Sequence, residues 1–168
     1  MATLRNSSDI IKGGHLMVFM KETREGNARY GQLIPIAFAT SHSFSKTLNT
    51  SEVTCKDFGD TAAVLPQNYS WTMQTDNLYS IDGYQMINYA FKNMKKVKVY
   101  FGETTYDQTQ AQASIVDVNN AQDWGLAGFG EEGDAYITSL DVTASAGENA
   151  TFSATFTGSG TLTEVNNA

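Results

Sequence analysis

The sequence predicts a mainly β fold with one helix. Three observations carry that expectation. Apolar and hydroxyl side chains alternate one by one in several stretches, and one stretch carries apolar residues at three- and four-residue steps. The chain has 168 residues, which suits one domain with its own core. A chain this long hides roughly 70% of its unfolded surface and needs no disulfide or metal to do so. Its single cysteine, Cys55, excludes an intramolecular disulfide framework and a four-cysteine zinc site. A net charge of −7 with 41% hydrophobic residues places it among globular chains rather than disordered ones. The early apolar run from Leu16 to Met20 is far short of the about 20 residues a membrane span requires, and too short for a signal-peptide core. The expectation is a soluble protein made inside the cell, without membrane insertion.

Leu16, Val18 and Met20 alternate with Met17 and Phe19, as in a strand buried on both faces. Residues 21–33, with Glu22, Arg24, Glu25, Gly26, Asn27 and Arg29, read as a charged turn. Ile34, Ile36 and Phe38 resume a strand whose Pro35 puts its start at an edge or bulge. Three stretches then share one design. His42, Phe44, Lys46 and Leu48 stand opposite Ser41, Ser43, Ser45 and Thr47. Tyr69, Trp71 and Met73 stand opposite Ser70, Thr72 and Gln74, and Phe152, Ala154 and Phe156 opposite Thr151, Ser153, Thr155 and Thr157. Such strands suit a sheet with one wet face, here unusually free of charge. Residues 50–68, with Cys55, Gly59 and Pro66, read as a long loop.

Tyr84, Ile87, Phe91 and Met94 mark a helix over about 81–96, with Ser80 or Asp82 as N-cap and Lys92, Lys95 and Lys96 at the end the dipole favours. Val97, Val99 and Phe101 form the next strand. Residues 103–133 read as a polar, glycine-containing insert. Residues 134–142 and 150–157 read as two strands joined by a glycine turn.

Charge is split along the chain. All eleven Lys and Arg lie in residues 1–98, against eight acids there, whereas residues 99–168 hold ten acids and no base. Such a segment repels phosphates and cannot be a nucleic-acid-binding face. Either the split is drift, or it keeps a surface free of positive charge or lets copies stack acidic part against basic part.

Catalytic and metal constellations are missing, so no catalytic residue, metal site or cofactor is expected. The glycines at 125, 128 and 130 lack the Lys-Ser/Thr ending of a phosphate cradle and precede Glu131 and Glu132. Asp117, Asn119 and Asp123 resemble a calcium loop but place Gln122 and Gly128 where glycine and glutamate belong. Gly158-Ser159-Gly160 is no nucleophile elbow, His15 and His42 have no nearby carboxylate, and the Glu131-Glu132-Asp134 cluster lacks a sugar platform beyond Trp124 and Phe129.

Four stretches together resemble the major tail (tail tube) proteins of long-tailed phages. They are His15–Met20 leading to Ile36–His42; Thr54–Gly59 followed by Tyr69-Ser70-Trp71 and Asn77–Ser80; Val97–Gly102; and Gly133–Leu140 through Gly147–Gly160. Their order and spacing cover most of residues 14–162, while residues 104–123 match nothing in the pattern. The resemblance implies one β-sandwich or half-barrel with a flanking helix, over residues 14–158, between arms at 1–13 and 159–168. It implies hexameric rings stacked head-to-tail into a tube whose sheets join in an inner barrel and whose lumen passes DNA. Tape measure, tail terminator and baseplate proteins would be the other partners, the virion tail the location, and the bacterial host cytoplasm the place of synthesis. Tubes of bacterial secretion systems share that architecture.

A lumen wall should be neutral or acidic, because basic residues bind phosphates. The candidates for it are Ser41, Ser43, Ser45, Thr47, Ser70, Thr72, Gln74, Asp141, Thr151, Ser153 and Thr155. Candidates for contact between rings are the two arms and the loop at 50–68, with Glu52, Lys56, Asp57 and Asp60. The competing expectation is a monomeric carbohydrate-binding β-sandwich stacking sugars on Tyr69, Trp71, Tyr79, Tyr84 or Trp124, although alternation puts Trp71 on the apolar face.

Overall fold

A computed structural model of the chain describes residues 10–36, 39–59, 61–105 and 126–166. Its elements in order are β1 (Leu16–Lys21), β2 (Leu33–Pro35), β3 (Ala39–Val53), β4 (Ala63–Leu78), α1 (Ile81–Lys92), β5 (Val97–Thr104), β6 (Leu126–Thr143), β7 (Thr151–Gly158) and β8 (Thr163–Asn166). All pairings are antiparallel, in the order β2-β1-β5-β6-β7-β4-β3, and β8 pairs with the first part of β6. Pro35 lies on the outermost strand, where a missing N–H is tolerated.

One face of this sheet carries the core. Val18 and Met20 of β1, Val97 and Val99 of β5, Ala135 and Ile137 of β6, Phe152, Ala154 and Phe156 of β7 and Trp71 and Met73 of β4 form one buried cluster. Each fully buried side chain of this size contributes about 1.5–3 kcal/mol. The sheet curls around them. Phe44 of β3 lies 5.4 Å from Phe101 of β5, although β6, β7 and β4 stand between those strands in the sheet. The result is a half-barrel, and α1 inserts Met86, Ile87 and Ala90 into it. A smaller cluster of Met17, Phe19 and Tyr100, with Leu33, Leu126 and Val165 against it, covers part of the other face.

Four expectations need correction. The stretch 50–68 is mostly strand: β3 and β4 run on as a hairpin to Val53 and Ala63, leaving residues 54–62 as the connection. Both faces of that extension meet solvent, so no dry stripe marks it in the sequence. Pro66 sits beside the register shift at Asn49/Thr50, a place where a strand admits proline.

The insert at 103–133 is also partly strand, with residues 103–104 ending β5 and residues 126–133 opening β6. Its glycines make room for rings. A Cβ at Gly130 would meet the Tyr100 ring, one at Gly133 would lie 2.7 Å from Trp71 Cζ2, and Gly158 likewise faces the Trp71 indole. Residues 106–125 of the insert lie outside the described residues, and with them Trp124 and the calcium-like stretch.

The C-terminal arm at 159–168 is a strand at residues 163–166, bonded to β6 from Phe129 to Glu132. The helix stops at Lys92 rather than near 96. There Met94 N–H donates to the Phe91 carbonyl at 3.2 Å and Lys95 N–H to the Ala90 carbonyl at 3.0 Å, the paired bonds of a Schellman end. Ser80 occupies the N-cap position without a side-chain cap bond. Asp82 instead bonds Arg24 at 3.0 Å and Arg29 at 2.6 Å, tying the β1–β2 connection to the helix.

Candidate functional site: a hydroxyl face with two open edges

The eleven residues expected to share a wet surface come from four strands, and register brings them onto one face. Ser41 of β3 stands opposite Asp76 of β4, which stands opposite Ser153 of β7 and then Asp141 of β6. The next rank is Ser43, Gln74, Thr155 and Ser139; the one after is Ser45, Thr72, Thr157 and Tyr136; Thr47 and Ser70 begin a fourth. Thr151 pairs with Leu78 and Thr143 at the other end. Directly opposed residues of antiparallel strands project to the same side, so the ranks form one continuous surface.

That surface is wet and nearly uncharged. Ser41, Ser43, Ser45, Thr47, Ser70, Gln74, Asp141 and Thr151 are exposed, and Thr72, Ser153 and Thr155 are half-buried. The hydroxyls bond locally: Ser41 Oγ donates to Asp76 Oδ2 at 2.9 Å, Ser139 Oγ to Asp141 Oδ2 at 3.0 Å, and the Thr138 and Thr157 hydroxyls lie 2.8 Å apart. Asp76 and Asp141 are the only charges in the ranks. Lysines approach one margin, where Lys98 opposes Asp134 and Lys96 sits 5.9 Å over the Tyr136 ring.

Thr157 continues the alternation of β7, whereas sequence reasoning missed Asp76, Ser139 and Tyr136 on this face. Asp76 continues the alternation of Ser70, Thr72 and Gln74, but only strand register identifies Ser139 and Tyr136, because a bulge between Ile137 and Ser139 shifts the alternation in β6.

Both margins of the face are open edges. β3 ends the sheet order, so its outer side, fifteen residues long, is unpaired among the described residues. At the other margin β5 leaves β6 at Ala135, and among the described residues no strand takes its place beside residues 136–143. Beyond the body, the β3–β4 hairpin projects with Glu52 on β3 and Lys56 and Asp57 in a 3-10 turn at its tip, all exposed; Asp60 lies outside the described residues.

No chemistry gathers elsewhere among the described residues. They contain no group of three metal-binding side chains. His15 Nδ1 lies 3.1 Å from the Thr104 carbonyl oxygen. The His42 ring is buried with neither nitrogen hydrogen-bonded. Of the proposed sugar platforms, Trp71 is buried in the core and donates through Nε1 to the Gly160 carbonyl at 3.1 Å. Tyr79 and Tyr84 stack on each other at 4.9 Å and both meet Phe152.

A curled sheet with a polar face, a projecting hairpin and edges unpaired among the described residues has the form of a subunit whose sheet can be extended by another chain. The chain belongs to the phage tail tube protein family, whose model matches residues 11–164. It is a tube-forming structural protein. Its fold is that of a chain in the virion of a native gene transfer agent particle, with a TM-score of 0.67, 14% identity, and coverage of 93% of this chain and 99% of that one. The SPP1 tail tube gives a TM-score of 0.65 at 13% identity, over 95% of this chain and 80% of that one. The tail of the empty gene transfer agent particle, of sixfold symmetry, gives 0.62 at 16%, over 95% and 98%. No curated protein matches the sequence.

Proposed function

We propose that six copies close into a ring, that rings stack into the tube of a virion tail, and that the hydroxyl face lines a lumen through which DNA leaves. The carrying observation is the continuous face of β3, β4, β7 and β6 ending in two unpaired edges. Pairing β3 of one copy with residues 136–143 of the next satisfies both edges and closes a barrel from four strands per copy. The closed wall then presents hydroxyls and two carboxylates per copy, which gives DNA phosphates no cation to bind. The sixfold gene transfer agent tail supports the ring number.

In this reading the β3–β4 hairpin reaches the neighbouring ring, and Glu52, Lys56, Asp57 and Asp60 are its contact residues. The protein works without a cofactor or catalytic step. Its partners are other copies, the tape measure, terminator and baseplate proteins, and DNA in transit. It is made in the bacterial cytoplasm before assembly.

The test is cross-linking in assembled material. In a Cys55→Ser background, Ser45→Cys and Thr138→Cys place one thiol on each proposed edge. Oxidation should give a ladder of covalent species ending at six copies, in tubes visible by negative-stain electron microscopy. Tubes without that ladder would reject the edge pairing, and a protein that stays monomeric at all concentrations would reject the ring.

A further inference from the structure

The geometry points to a second contact between copies, a knob at the end of α1 that seats in an apolar pocket between β3, β4 and the segment before β8 of the next copy. This inference rests on the tube reading above.

The knob is Met94. It holds a left-handed backbone, φ 51°, at the one position of a Schellman end where glycine is the usual residue. Its side chain is 83% exposed and therefore gains nothing from the fold of its own chain. A residue that strains the backbone and projects an apolar chain into water is explained by a surface that covers it. Phe91, one turn earlier and 40% exposed, widens the apolar tip. Lys92, Lys95 and Lys96 flank it in the chain, and Lys95 lies 3.9 Å from Glu25.

The complementary surface lies on the same molecule. Leu48, Tyr69 and Leu162 line a pocket of about 380 Å³, and Leu48 and Tyr69 are 59% and 43% exposed. Glu131 and Glu164 stand at its margin with Lys46, which is paired to Glu131 at 2.5 Å, so the pocket is net acidic. An apolar tip flanked by lysines thus matches an apolar pocket bordered by carboxylates. A flexible thioether suits such an irregular hollow.

The two cannot meet within one chain. β5 begins three residues after Met94 and runs to Phe101, which pairs with Glu131 of the pocket. Its extended backbone alone puts roughly 13 Å between Val97 and Phe101. A contact between unlike surfaces of identical copies is head-to-tail, which generates rings or open stacks. The split of charge along the sequence has a place here: the tip draws on the basic segment and the pocket's carboxylates on the acidic one.

The experiment compares wild type with Met94→Gly. Because glycine adopts this backbone without strain, the isolated variant should melt at or above the wild-type temperature. Yet it should need about tenfold more protein to assemble, as expected when a central apolar anchor is removed. Lys95→Glu should weaken assembly likewise, and adding Glu164→Lys should restore it. In a Cys55→Ser background, a Met94→Cys protein mixed with a Leu48→Cys protein should form a disulfide between copies under assembling conditions. Wild-type tubes with an unchanged Met94→Gly threshold and no such disulfide would overturn the contact while leaving the tube reading intact. A wild-type protein that never assembles would overturn both.

Discussion

His42 projects from β3 toward the core side, opposite Thr75, and neither of its ring nitrogens finds a partner. Burial lowers its pKa to about 4, against a smaller opposing pull from Asp76, the one charge acting on it. The folded protein therefore holds the neutral ring. The stability this represents is complete above the ordinary value of 6.5 and is lost as pH falls from there toward 4, below which both states are protonated. The loss amounts to roughly 3 kcal/mol. Denaturant melts of wild type should weaken across that window, whereas His42→Phe should stay flat there. Equal slopes for the two proteins would show that the ring titrates freely in the fold. Glu22 and Asp82 act at lower pH. Burial raises both, but hydrogen bonds and charge from Arg24 and Arg29 outweigh it, so the stability they bring is lost only as pH falls below about 4.5. The glycines facing rings give a second residue-scale test. Gly158→Ala sets a methyl against the Trp71 indole, which cannot move without disturbing the core. Overpacking of this kind costs about 1–3 kcal/mol, and in a chain of this size each kcal/mol lowers the melting temperature by about 2–4 °C. An unchanged melting temperature would mean that the indole has room to shift.

At the scale of elements, legibility followed dryness. Strands with one dry face, such as Phe152–Phe156 opposite its threonines, are plain in the sequence because burial selects every second residue. The distal halves of β3 and β4 carry no such signature, since water meets both faces, and β6 begins among glycines that read as breakers until Tyr100 and Trp71 are seen lying over them. The polar surface was half legible. Alternation named its hydroxyls strand by strand, but only register showed that they form ranks and that Ser139 and Tyr136 belong among them. The hairpin follows the same logic in reverse. Its outer residues add little to the fold because they bury little, which leaves them free for the stacking contact proposed above. Replacing residues 54–62 and the distal strand pairs by a two-residue turn should leave a soluble body melting within a few degrees of wild type. That body should form no long tubes by electron microscopy. Tubes of ordinary length would show that the hairpin has no part in stacking.

For the whole molecule, every local feature is multiplied by repetition around a ring and along a tube. In the proposed ring a hydroxyl wall matters only when closed, because a single copy offers DNA one patch and a closed barrel surrounds it. The ranks from Ser41 to Thr155 bear two carboxylates and no cation, although the chain as a whole has eleven Lys and Arg. Positive charge has been kept at the margin, on Lys96 and Lys98, or on the core side, on Lys46. In the proposed ring, each lysine placed in the ranks would recur in every copy and bind phosphates at regular intervals down the lumen. Gln74→Lys with Thr155→Lys puts two cations side by side on a solvated face, so folding and tube formation should be unaffected. DNA release from particles carrying these tubes should slow by about tenfold at low salt and recover as salt rises, because the bound phosphates are released in exchange for ions. Intact tubes with wild-type release at every salt concentration would show that this face does not line the lumen.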